Sequence, residues 1–140
     1  MKLVPDTNIL IAALVRAGVS REILLHPSLE FLLPEYALEE VEKNWPEILR
    51  KSKLPEDELR IVFDDIKQKI TIVPFAEITE LKKAAEIMDP IHPNDAPFIA
   101  LALSVRNDGI WSQDKHFEQQ KVVKVWKTKD LIHYLEITHP

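Results

Sequence analysis

The chain contains no cysteine. Disulfides, zinc-thiolate centres and cysteine nucleophiles are therefore excluded, and any metal must be held by oxygen or imidazole ligands. Only two glycines occur, Gly18 and Gly109. That is too few for a glycine-rich phosphate cradle or a dinucleotide fingerprint, so kinase, P-loop and Rossmann readings fall together. Basic charge is also short, with 18 Lys and Arg against 23 Asp and Glu, net −5. Such a balance argues against a broad basic surface gripping nucleic acid, because phosphate neutralisation supplies most non-specific affinity. An acidic pocket loaded with divalent cations remains a route to phosphate. No stretch approaches the roughly 18 apolar residues of a membrane span. The opening Met1-Lys2-Leu3-Val4-Pro5-Asp6 breaks its apolar run too early for a signal peptide, so the expected location is cytoplasmic.

What is present is 140 residues, 46% hydrophobic and 29% charged, the size and composition of one ordinary globular domain. With no internal repeat, low-complexity segment or linker, residues 1–140 are expected to form a single domain. Leu3-Val4, Asp6-Thr7-Asn8 and then Ile9, Leu10, Ala13, Leu14 and Ala17 read as strand, cap and helix. A short helix from Ser20 to His26-Pro27 and a buried strand at Phe31-Leu32-Leu33 follow. From Glu35 to about Lys51 an apolar stripe of Leu38, Val41, Trp45, Ile48 and Leu49 predicts helix, kinked or broken at Pro46. Arg50-Lys51-Ser52-Lys53 reads as a solvated turn, with RNA contact the minority alternative. Pro55-Glu56-Asp57 opens a helix that runs until Ile70, and Thr71-Ile72-Val73 is strand-like.

Thr79-Glu80 begins a helix through Met88, and Asn94-Asp95 is expected to cap one whose Phe98 to Leu103 is apolar nearly all round. Strands are expected at Gly109 to Ser112, running out at Asp114, and at Val122 to Trp126, before a helix from Asp130 to Leu135. Five short strands alternating with helices imply an α/β fold, a parallel sheet covered on both faces with right-handed crossovers. In such sheets ligands bind at the carboxyl ends of the strands. Asp6 and Asp114 each follow an apolar strand directly, Asp95 begins a helix after Pro93, and Glu40 reaches the same edge from a helix.

Each acid also has a plain structural reading. Asp6 and Asp95 are common helix-cap residues, Asp114 with Lys115 fits a polar turn, and Glu40 shares its helix with Glu35, Glu39, Glu42 and Glu47. Helical phase does not separate Glu40 from Glu39, which lie on opposite sides of the apolar stripe. Lys115 and His116 fit an exposed pair, with phosphate contact as the alternative; His92, His133 and His139 show no ligand spacing. Trp45 and Trp111 read as core.

Taken together, Asp6-Thr7-Asn8 after the first strand, Glu40-Val41 in a helix opened by Pro34-Glu35, Asn94-Asp95-Ala96-Pro97-Phe98-Ile99-Ala100-Leu101-Ala102 and Ile110-Trp111-Ser112-Gln113-Asp114-Lys115-His116-Phe117 resemble the PIN domain nucleases, which include the VapC toxins of toxin–antitoxin pairs. The resemblance covers nearly the whole chain. It implies a three-layer α/β/α sandwich with a central, mostly parallel five-stranded sheet. It further implies an acidic cluster of Asp6, Glu40, Asp95 and Asp114 that binds Mg²⁺ or Mn²⁺, through Asp6, Asp95 and Asp114, and hydrolyses single-stranded RNA. Asn8 and Ser112 are the implied supporting polar groups. Threonine is more usual at Ser112, but serine keeps the hydroxyl. The resemblance also implies a homodimer, with the helices between Glu35 and Ile70 as candidate surface, and an antitoxin protein as partner.

The chemistry agrees with that reading. Water attacking a phosphodiester anion needs hydroxide delivered, charge shielded and an alkoxide stabilised, which divalent cations provide. An aspartyl phosphatase would need a second aspartate where Asn8 stands, and a receiver domain would need its acceptor where the middle strand ends in Pro74-Phe75. The non-enzymatic alternative is a PIN-like scaffold that binds RNA or protein without cutting.

Overall fold

The computed structural model describes residues 1–136. Strands β1 (Lys2–Pro5), β2 (Glu30–Pro34), β3 (Ile70–Val73), β4 (Ile110–Trp111) and β5 (Val125–Trp126) form one sheet in the order β3-β2-β1-β4-β5. Every pairing in it is parallel. Between and after them run α1 (Thr7–Val15), α2 (Val19–Leu24), α3 (Glu35–Lys43), α4 (Trp45–Ser52), α5 (Glu56–Gln68), α6 (Leu81–Met88), α7 (Ala96–Ser104), α8 (Lys115–Glu118) and α9 (Thr128–Leu135).

Right-handed crossovers decide which helices share a face. The chain steps one way from β1 to β2 to β3, which sets α1 to α5 on one side. It returns past β2 and β1 to β4 and on to β5, which carries α6 to α8 over the other. The packing agrees: α1 lies against α2, α3, α4 and α5, whereas α7 lies across β2, β1 and β4. The fold is a three-layer α/β/α sandwich with a wholly parallel sheet. No helix among the described residues is long and apolar enough to cross a membrane.

Local chemistry explains the elements. Leu3, Val4, Leu33 and Ile110 are fully buried, as strands covered on both faces require. In α7, Phe98, Ile99, Ala100 and Leu101 are all buried, so its apolar surface is spent against the sheet and the neighbouring helix rather than on one stripe. Pro46 stands in the first turn of α4, and the expected long helix is two, divided at Asn44. A first-turn proline lacks only an N–H that would be unpaired anyway. Trp45 and Trp111 are core: Trp45 stacks on Phe63, and the Trp111 indole N–H donates to Thr128 Oγ1 at 3.0 Å.

Four expectations are corrected. The strand expected from Val122 shrinks to Val125–Trp126, because the Gln120 side chain accepts from the Val122 and Val123 N–H groups and holds a turn instead. Helix α4 continues through Arg50 and Lys51, and only Lys53, at φ 59°, turns left-handed. Asp95 stands at the start of α7 without capping it by its side chain. Of Lys115 and His116, read as an exposed pair, Lys115 is exposed but His116, in the first turn of the short helix α8, is half-buried.

Gly109 is the one glycine whose backbone demands glycine. Its φ is +132°, and a Cβ there would lie 2.6 Å from the Lys124 carbonyl oxygen, at the point where β4 enters the sheet beside β1. Gly109→Ala is expected to lower unfolding stability by about 1–3 kcal/mol, the range for a strained backbone conformation. Urea denaturation checks this, and an unchanged midpoint would show that the strand entry tolerates a side chain.

Candidate active site

Strand order reverses between β1 and β4, and that switch point is where an open parallel sheet splits its loops apart to leave a crevice. Pro5 pairs with Trp111, and the Asp6 N–H still donates to the Trp111 carbonyl at 3.1 Å. The next residue on each strand therefore opens into the same crevice. Asp6 leaves β1 there, and Ser112 leaves β4.

Asp6 does two jobs. Its Oδ1 accepts from the Ile9 N–H at 2.9 Å and caps α1, so the plain structural reading is correct as far as it goes. Its Oδ2 accepts from the Ser112 hydroxyl, whose oxygen in turn accepts from the Asp114 N–H at 2.9 Å. One hydroxyl thus ties the acid after β1 to the loop carrying the acid after β4. Asp114 Oδ1 caps α8 through the His116 N–H at 2.9 Å. Glu40 projects from α3, and its Oε1 accepts from the Thr7 hydroxyl at 2.5 Å.

These groups border a cavity of about 360 Å³ lined by Asp6, Asn8, Glu40, His92, Asp95 and Asp114 among others. The four acids named from sequence are thus brought to one cavity, and Glu40, not the exposed Glu39, is the glutamate that reaches it. Asn8 is exposed at the rim, where no hydrogen bond ties it to the acids. Ser112 is fully buried behind Asp6. Lys115 is exposed and does not line the cavity.

Two histidines depart from the sequence reading. His116 turns inward: its Nδ1 lies 3.5 Å from Asp95 Oδ2 and 3.1 Å from Asp114 Oδ1. His92, expected to be incidental, lines the cavity with its Nδ1 3.3 Å from the same Asp95 oxygen. Each stands close in sequence to an acid already singled out, His92 three before Asp95 and His116 two after Asp114. That adjacency was the available signal. His133 is exposed on α9, and His139 lies outside the described residues.

Burial pushes the Asp6 carboxyl from its ordinary 3.8 up to about 6. The Ser112 and Ile9 hydrogen bonds oppose the rise, while the charges of Asp114 and Asp95 add to it. Burial raises Asp95 as well, with Asp114 reinforcing the shift and the imidazoles of His92 and His116 opposing it. Tyr36, packed edge-on against Phe98, is raised by burial and by Glu40 and Asp95. Among the described residues no lysine or arginine lines the cavity. Four carboxylates with no fixed counter-charge repel one another and suffer desolvation together, an arrangement that a bound divalent cation relieves. An all-oxygen set of acids suits Mg²⁺ or Mn²⁺, so the residues present fit such an ion.

A family model for the PIN domain matches residues 4–136. The chain belongs to the PIN domain family. Members of this family are usually nucleases and generally bind a divalent metal, in keeping with the acid-lined crevice. Among curated proteins none matches the chain.

The Asp6 shift has a measurable sign. A carboxyl whose folded pKa lies above its unfolded value destabilises the ion-free fold fully above pH about 6 and not at all below pH about 4. Asp6→Asn, which keeps the cap acceptor without the charge, is therefore expected to stabilise the ion-free chain at pH 8 by up to about 3 kcal/mol. The gain should vanish towards pH 4. Thermal unfolding across that range tests it, and a variant less stable at every pH would refute the assignment.

Proposed function

We propose that this PIN domain is a metal-dependent endoribonuclease that hydrolyses phosphodiester bonds of single-stranded RNA. The observation that carries this reading is the convergence of Asp6, Glu40, Asp95 and Asp114 on one crevice that no lysine or arginine lines. Asp6, Asp95 and Asp114 would hold Mg²⁺ or Mn²⁺. A divalent ion bound there lowers the pKa of a coordinated water, shields the phosphate and steadies the departing alkoxide.

The chain's own groups supply position. Asp6 is fixed at both oxygens, one by the α1 backbone and one by Ser112. Such double anchoring keeps the carboxylate from swinging out of the crevice. Glu40 has one oxygen held by Thr7, which leaves the other to accept a proton from, or orient, the attacking water. Asp114 shares its loop with Ser112, so it moves with Asp6 rather than independently.

A second hollow would offer the strand a path. A neighbouring hollow shares Asn8 and Ile11 with the acid-lined cavity and is bordered by the exposed Arg16 and Lys51. Two cations at one end of a groove, with the acids at the other, suit a backbone held by phosphate contacts and cut where the ions sit. Within the family we favour a VapC-like toxin acting in the cytoplasm, whose antitoxin would close the acidic mouth with a basic side chain. Its gene would neighbour this one. A homodimer through α3 to α5 would extend the groove, and the exposed Ile61 on α5 would be available as an apolar contact for it.

Two measurements test the reading. Mn²⁺ or Mg²⁺ should be required for cleavage of single-stranded RNA, with EDTA abolishing it. Asp6→Asn and Asp95→Asn should each cost at least about a hundredfold in kcat, since several kcal/mol of charge stabilisation is removed. Binding of the ion without cleavage across a broad RNA set would favour the non-cutting scaffold. Arg16→Glu with Lys51→Glu should raise KM several-fold and flatten its salt dependence with kcat retained. An unmoved KM would place the strand elsewhere.

A further inference from the structure

At one end of the crevice the three atoms His92 Nδ1, Asp95 Oδ2 and His116 Nδ1 converge. All three are shielded from solvent, and none has a hydrogen-bond partner of acceptable geometry. Buried polar atoms are rarely left so, and three orphaned atoms facing one another call for a common partner between them. In the tautomer that leaves both Nδ1 atoms unprotonated, two nitrogens and one oxygen each offer a lone pair, and the common partner is then a cation.

The spacing narrows the kind of cation. An ion held tetrahedrally by nitrogen and oxygen at roughly 2.0–2.2 Å has ligand-to-ligand edges of about 3.3–3.6 Å. Asp95 Oδ2 stands 3.3 Å from His92 Nδ1 and 3.5 Å from His116 Nδ1. The three ligand atoms lie within 4.8 Å of one another. The two imidazoles stack face to face, centroids 4.4 Å apart and planes 12° from parallel; because each Nδ1 lone pair lies in its ring plane, one ring must turn on its Cβ–Cγ bond for both to meet one ion. The elements around them also restrict motion. His92 is tied to the end of α6 by its N–H to the Met88 carbonyl at 2.7 Å, and His116 to α8 by the Asp114 cap.

We propose that His92, Asp95 and His116 form a site for a borderline divalent transition ion of the Zn²⁺ and Co²⁺ type. Imidazole is a poor ligand for Mg²⁺, which keeps oxygen donors and several waters, and a good one for these ions. Three protein ligands leave a fourth position, and because His92 and Asp95 line the crevice, that position opens towards the acids. Asp95 thus belongs to both ends, and Asp114, whose Oδ1 lies 3.1 Å from His116 Nδ1, stands at their junction: Asp6 and Glu40 make the hard, all-oxygen end, and the histidines make the softer one. The histidine site stands on side-chain geometry alone and does not depend on the crevice cutting RNA.

Titration of the full chain with Co²⁺, followed by visible absorption, tests the assignment. The wild type should show the intense bands of a four-coordinate nitrogen- and oxygen-ligated ion. His92→Ala and His116→Ala should each weaken Co²⁺ binding by more than about tenfold, the loss already typical when only an outer-shell partner is removed. Asp6→Asn should stay within a few-fold of wild type while losing RNA cleavage, so the two readings can fail separately. In the wild-type chain, without any substitution, Zn²⁺ should shift the imidazole nitrogen signals of two of the five histidines, with Nδ1 as the ligating atom. Absent Co²⁺ bands, binding indifferent to both histidine substitutions, or Zn²⁺ shifts spread over other histidines would each overturn the site.

Discussion

The parallel pairing of β1 with β4 is the contact on which the rest of the molecule turns. It joins segments from opposite ends of the chain, Val4 beside Ile110 and Pro5 beside Trp111. It is also the place where strand order reverses. Every other strand neighbour is the next strand along the chain, but this pair forms only after the chain has traversed the sheet to β3 and come back. The acids after β1 and β4 meet because these two strands do.

The pairing brings an electrostatic difficulty with it. Asp6 is almost wholly buried and shares its crevice with three more carboxylates, an assembly that costs the fold stability for as long as nothing cationic enters. Part of the relief is internal: the Ser112 hydroxyl and the α1 amide both bond Asp6, and the histidines face Asp95. The rest is left to a ligand. Unrelieved repulsion in a rigid crevice is a usual mark of a site whose function requires a cation.

The same crevice is uneven from end to end. Around Asp6 and Glu40 the donors are oxygen; around Asp95 and Asp114 they include imidazole nitrogen. With the proposed histidine site, these two surroundings would match ions of different hardness. A carboxylate shared between them, Asp95, couples occupancy of one end to the charge at the other. Under the proposed function, the hollow bordered by Arg16 and Lys51 would give the crevice a direction, from cations that attract a phosphate backbone to acids that hold ions.

Much of this was legible in the sequence. Alternating apolar runs and helical stripes determined an α/β sandwich, because buried strands and amphipathic helices must each satisfy a fixed period. Asp6 and Asp114 could be located at strand ends from their immediate neighbours alone, and Pro46 announced the break between α3 and α4. What lay beyond the sequence were relations across space. Helical phase left Glu39 and Glu40 equivalent until the Thr7 hydroxyl picked out Glu40. Asp95 looked like a cap until the turn before α7 aimed its carboxylate at the crevice instead. His92 carried no ligand spacing and His116 read as half of an exposed pair, since metal-ligand patterns are read within one element whereas these two are delivered by the end of α6 and the start of α8. Local chemistry determines which residues begin and end an element; only the docking of distant elements decides which side chains share a cavity, because that depends on strand order and crossover hand rather than on any neighbour in sequence.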